Sequence, residues 1–124
     1  MGTQNKNDNK RERGNRGEDL AADFLQREGY EIITRNYICP IGEIDLIARE
    51  GNCLVFVEVR SKTSRRFGTP AESITSAKEK RLRKLANYYL VREVGKEVPC
   101  RFDLVSIEKE GSEYSLNHIK GMFT

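Results

Sequence analysis

Cysteine is scarce and unpaired in this chain. Cys39, Cys53 and Cys100 make an odd count with no C-x-x-C spacing, which argues against a disulfide framework or a structural zinc site. Cys53 and Cys100 read instead as small apolar core residues. His118 is the one histidine. A Cys/His nucleophilic couple therefore has little support, and a strand-like run near the C-terminus suits His118 to a surface or packing role. No stretch is long and apolar enough to cross a bilayer. The N-terminus also lacks an apolar signal region, so a cytoplasmic location is expected. Large apolar side chains are missing between Met1 and Leu20, and residues 1–14 are expected to form a disordered basic tail.

What remains fits one domain, residues 15–124. A chain of 124 residues can bury about two-thirds of its extended surface without staples. Hydrophobic residues make up 37% and charged residues 33%, an ordinary globular balance with a crowded surface. The net charge is only +3, but its distribution says more. Basic residues cluster at 10–16 (Lys10, Arg11, Arg13, Arg16), at 60–66 (Arg60, Lys62, Arg65, Arg66) and at 78–84 (Lys78, Lys80, Arg81, Arg83, Lys84). Such clusters suit a polyanion, because each neutralised phosphate releases counterions. They also suit plain solubility.

Hydrophobic spacing gives the elements. Leu20, Ala21, Phe24 and Leu25 repeat at helical spacing, predicting a helix over 16–28 with Asn15 as N-cap and Gly29 as stop. Strands are predicted over 30–37, 43–49 and 53–60, the last two joined by a Gly51-Asn52 hairpin loop. A second helix is expected over about 75–92, capped by Thr75 and ended by Gly95 and Pro99, before a final hairpin of 101–108 and 113–119. The order α-β-β-β-α-β-β describes an α/β fold with a central mixed sheet flanked by helices.

If Gly51 and Asn52 form the loop, Glu50 pairs with Cys53, and the register sets Asp45 opposite Glu58 and Glu43 opposite Arg60. Two carboxylates in register on a strand pair repel each other and resist burial. A divalent cation between them would remove that conflict; Mg²⁺ is commonly held by one or two carboxylates plus phosphate oxygens. Alternatively, a slipped register would move Asp45 to the other face, or edge strands would leave both acids in water. On the second helix, Lys78 falls within the apolar stripe of Ile74, Leu82, Leu85 and Tyr89, with Arg81 on its flank. A lysine there either snorkels or points into a polar site. Glu18, in the first helical turn, would favour the helix dipole.

The combination Gly17-Glu18-x-x-Ala21, Gly29-Tyr30, Arg35-Asn36, Gly42-Glu43-Ile44-Asp45-Leu46-Ile47, Phe56-Val57-Glu58-Val59-Arg60, Phe67-Gly68, Lys78, Ala86 and Arg101-Phe102-Asp103 resembles the YraN-like family of small bacterial proteins over about residues 14–119. That family is similar to the restriction-endonuclease-like superfamily, whose signature is an Asp and then an acid-x-Lys on the next strand, and to Holliday-junction resolvases in particular. The resemblance implies a metal-dependent endonuclease acting on DNA more than RNA, including branched DNA. It implies Asp45, Glu58 and Glu18 as ligands of Mg²⁺ or Mn²⁺, and Lys78 as a residue approaching the phosphate. Arg60 stands where the signature has lysine. Arginine effectively cannot lose its proton, so Arg60 would orient water, stabilise an oxyanion, or pair with Glu43. Lys62 would share its face and supply the missing amine. Arg65, Arg66 and Arg81 would join Lys78 in holding nucleic acid, and a homodimer would suit a symmetric junction. A non-catalytic nucleic-acid-binding module on the same fold, and a protein adaptor, are the competing functions.

Overall fold

The Gly51-Asn52 loop fixes the register of the strand pair it joins. In the computed structural model, which describes residues 6–62 and 74–123, strand β2 (Gly42–Glu50) pairs antiparallel with β3 (Cys53–Lys62) from Glu50–Cys53 to Leu46–Val57. This is the offset the two-residue loop demands. Strand β1 (Glu31–Cys39) adds antiparallel to the other edge of β2.

Helix α1 (Lys6–Arg27) precedes β1. It begins well before the expected Asn15 cap; the added turns hold the helix formers Lys6, Lys10, Arg11, Glu12 and Arg13 beside the poorer Asn7, Asp8, Asn9 and Gly14. Helix α2 (Ser76–Tyr89) starts at the expected cap: the Lys78 N–H donates to Thr75 Oγ1 at 3.1 Å. It runs on as a π-helical turn, Leu90–Val94, and stops at Gly95, whose φ of 77° is left-handed. The chain then enters β4 (Cys100–Glu110), parallel to β3, as a helical crossover requires. Strand β5 (Glu113–Ile119) closes a hairpin on β4. The five strands therefore lie in the order β1-β2-β3-β4-β5, a mixed sheet with the expected sequence of elements.

The sheet separates two cores. On one face, Ala21, Ala22 and Leu25 of α1 pack against Leu46, Ala48, Val55, Val57, Val105 and Ile107. On the other, Leu82, Leu85, Ala86 and Tyr89 of α2 pack against Ile44, Ile47, Leu54 and Phe56. Full burial of one such leucine contributes about 1.5–3 kcal/mol. Gly17 lets α1 lie close to β3, since a Cβ there would collide with Ser61 Oγ.

Five residues join beneath the end of α1. Asp103, fully buried, accepts hydrogen bonds from Arg101 Nε (2.8 Å) and from the Gly121 N–H (3.0 Å), and lies 2.9 Å from His118 Nε2. The Tyr30 hydroxyl accepts from Arg101, and the His118 ring meets Phe24 and Tyr30 edge-on. Burial alone would raise the Asp103 carboxyl, but its hydrogen bonds to His118, Arg101 and Gly121 hold it at about 2. His118 thus has the packing role its position suggested. Cys100 does not enter the core: it opens β4 and is exposed, while Cys39 and Cys53 are half-buried. Strand alternation points odd residues of β4 toward α1, so position 100 falls outside that packed set.

Candidate metal centre

The β1–β2 pairing shifts register between Ile32 and Thr34, and β1 is irregular again further along. Pairing passes from Arg35–Leu46 to Tyr37–Ile44, leaving Asn36 opposite Asp45. Asn36 has φ = 54°, the one positive φ outside glycine among the described residues. This left-handed conformation is costly for a side chain other than glycine, though asparagine tolerates it best. Its consequence is visible in the contacts. Arg35 pairs with Asp19 of α1, and Asn36 Nδ2 donates to Glu18 Oε1 of α1 at 2.8 Å. Two consecutive residues of β1 therefore face the same helix. Across the ladder, Leu46 packs on the α1 side and Ile44 on the α2 side, so β2 slips its alternation at the same level.

The slip brings three carboxylates together. Oxygens of Glu18, Glu43 and Asp45 lie within 4.8 Å of one another. Glu18 is only 8% exposed. The β2–β3 ladder ends at Leu46–Val57. Just beyond it, Asp45 Oδ2 accepts the Val59 N–H at 2.8 Å, so the carboxylate stands in for the next rung. Burial pushes the Asp45 carboxyl up to about 7, the Val59 bond opposes this, and the charges of Glu58, Glu18 and Glu43 add to it. Burial also raises Glu18, against the Asn36 hydrogen bond.

Glu58 lies on the other side of the fork. It shares the face of Phe56, toward α2. There it pairs with Lys78, Nζ to Oε2 at 3.3 Å, with both side chains below one-sixth exposed (13% and 15%). Burial raises its carboxyl while the charges of Arg81 and Arg60 lower it. Glu58 and Asp45 thus communicate by charge across β3. The structure brings Lys78 to Glu58, so its place on the apolar stripe of α2 reflects a polar partner. Arg81 is exposed beside this pair. Arg60 is partly buried and its Nε meets no hydrogen-bond partner. Lys62 ends β3. Arg65 and Arg66 lie outside the described residues.

Glu43 is the residue the sequence reading placed elsewhere, opposite Arg60. Its signal was there: Glu43 and Asp45 sit two apart on one strand and share a face. The donor set is all carboxylate oxygen, the ligand chemistry of hard divalent cations. Arg35 acts on Glu18 by charge and Glu43 is exposed, but the buried Glu18 and part-buried Asp45 remain costly as neighbouring anions unless protonated or bound to a cation.

The sequence model of a family described as "Uncharacterised protein family UPF0102" matches residues 17–107. A UPF0102 protein of Caldicellulosiruptor saccharolyticus is 44% identical over 117 residues, covering 93% of this chain and 99% of the relative. One from Symbiobacterium thermophilum is 53% identical over 95 residues, covering 77% and 80%. One from Moorella thermoacetica is 45% identical over 116 residues, covering 92% and 97%. These matches agree with the resemblance to the YraN-like family. No helix among the described residues is long and apolar enough to cross a membrane.

Proposed function

This chain belongs to the UPF0102 family, and we propose that it is a metal-dependent endonuclease acting on DNA, with branched or otherwise structured DNA as its substrate. The observation that carries the reading is the convergence of Glu18, Glu43 and Asp45 on one point at the fork of β2 and β3. Mg²⁺ or Mn²⁺ fits this donor set and, when bound, would activate water and offset the charge gathering on a phosphodiester. Asp45 and Glu43 would hold the ion from β2, and Glu18 from α1. Asn36 fixes the Glu18 carboxylate by the hydrogen bond its amide nitrogen donates, as outer-shell partners do for ligands. Glu58 lies close enough to influence Asp45 and would join the ligand set if Lys78 released it to a phosphate. Lys78, Arg81 and the basic stretch with Arg65 and Arg66 would hold the nucleic-acid backbone as point charges. A cytoplasmic setting and pairing of two copies on a symmetric junction complete the reading.

A non-catalytic nucleic-acid-binding module is the second reading. It is favoured by Arg60 at the signature lysine position, since arginine cannot act as a base, and by Glu58 already being paired with Lys78. A four-way DNA junction incubated with Mg²⁺ or Mn²⁺ and run on a denaturing gel separates the two. The endonuclease reading expects metal-dependent strand cleavage that Asp45→Asn abolishes and Arg60→Lys preserves or increases. Binding to the junction with no cleavage under either metal refutes it and leaves the module.

A further inference from the structure

Two buried polar atoms at the end of the sheet lack partners, and they are neighbours. Ser106 is 2% exposed, and among the described residues its Oγ meets no hydrogen-bond partner; the same holds for Arg60 Nε. Arg60 and Ser106 are directly paired across the parallel strands β3 and β4, so both side chains rise from the same face. That face belongs to α2: Phe56 and Phe102, on the same alternation, pack in the α2 core. A buried donor left unsatisfied costs about 1–3 kcal/mol. Two side by side in a native protein call for a ligand, an ion or water.

A cavity of about 240 Å³ opens beside Ser106, lined by Glu108, Ser115, Leu116 and Asn117. Asn117 pairs with Ser106 across β4 and β5, and Ser115 with Glu108, so hydroxyl and amide groups converge on one space. Guanidinium, hydroxyl and amide N–H groups together donate hydrogen bonds to an anion with several oxygens. Glu108 also lines this space, two residues further along β4.

We propose that Arg60, Ser106 and Asn117 form a phosphate subsite, which on the endonuclease reading holds a backbone phosphate on the α2 face of the sheet, the face of Glu58 and Lys78. Arg60 is two residues beyond Glu58 on β3, a distance of about 6.6 Å along an extended strand. The subsite gives Arg60 a task that needs no proton transfer: a fixed charge with a planar fork of donors, for which arginine is better suited than lysine.

The test uses the full chain in EDTA, so that metal and cleavage play no part. Fluorescence anisotropy with a dye-labelled DNA junction gives affinity, and the Arg60 Nε–H resonance is followed by NMR during titration with inorganic phosphate. Ser106→Ala is expected to weaken DNA binding about 3–10-fold, as does loss of one or two hydrogen bonds. Asn117→Asp, nearly isosteric, is expected to weaken it at least tenfold by placing a negative charge in the subsite. Phosphate should shift the Arg60 Nε–H in wild type and not in Asn117→Asp. Wild-type affinity in both Ser106→Ala and Asn117→Asp, with Arg60 Nε–H unmoved by phosphate, overturns the subsite and leaves the endonuclease reading standing. A phosphate shift at Arg60 with no DNA binding supports the subsite for free phosphate and removes its nucleic-acid role.

Discussion

Asp45→Asn should stabilise the metal-free protein at alkaline pH. The replacement keeps the shape and an oxygen that can accept the Val59 N–H, and removes one charge from a crowded acidic site. Folded Asp45 holds its proton up to about pH 7, whereas the ordinary value is 3.8. The folded state therefore binds more protons than the unfolded state between those values, and stability falls as pH rises through that window. The full shift corresponds to about 4 kcal/mol at 1.36 kcal/mol per unit. Asp45 keeps some exposure and titrates together with its acidic neighbours, so roughly half, about 2 kcal/mol, is the figure to expect. Urea unfolding at intervals from pH 4 to 8.5 measures it. Wild type should lose stability with rising pH relative to Asp45→Asn, and the two should converge near pH 4. Saturating Mn²⁺ at pH 8 should stabilise wild type and leave Asp45→Asn unchanged. A variant less stable than wild type at pH 8, or a gap independent of pH, would refute the reasoning.

Asn36→Gly separates backbone strain from ligand positioning: glycine accepts the φ of 54° without penalty, so thermal stability should hold or rise, while Mn²⁺ affinity should drop about 10–100-fold because Glu18 loses its amide partner. Lys78→Met strands the Glu58 carboxylate beside the α2 core and should cost about 1–3 kcal/mol at pH 8, with the loss shrinking toward pH 4 as Glu58 takes a proton; denaturant melts at the two pH values read it. Asp103→Asn leaves Arg101 and His118 facing a neutral amide and should cost about 3–5 kcal/mol in a urea melt at pH 7. In wild type, the depressed Asp103 carboxyl adds stability that is present above its ordinary value of 3.8 and is lost as pH falls toward about 2, so acid unfolding should begin in that window and be absent from the pH profile of Asp103→Asn.

Local chemistry made most of the fold legible. Gly51-Asn52 set the β2–β3 register, Thr75 and Gly95 bounded the second helix, and alternation sorted the apolar residues of β3 onto two faces. Asp45, Glu58 and Lys78 stood out because each breaks an apolar pattern. What escaped depends on contacts far apart in sequence or on one irregular residue. Periodicity assumes that a strand alternates without interruption, and Asn36 interrupts it. Once β1 and β2 slip, Glu43 turns with Asp45 toward Glu18, and Glu58 remains on the α2 side with Lys78. The register alone had set Asp45 against Glu58, whereas the ladder gives way one pair earlier to the Asp45–Val59 bond. The Asp103 network draws on Tyr30, Arg101, His118 and Gly121, and no spacing rule joins positions so far apart. The partnerless Ser106 hydroxyl is likewise invisible to a pattern that reads serine as solvated.

The most direct test of the central claim is calorimetric titration of Mn²⁺ into the protein at pH 8, on wild type, Asp45→Asn and Glu43→Gln. The account predicts one site in wild type, lost in Asp45→Asn and weakened in Glu43→Gln, since both acids belong to a single cluster with Glu18. No binding by wild type, or equal binding by all three proteins, would contradict it.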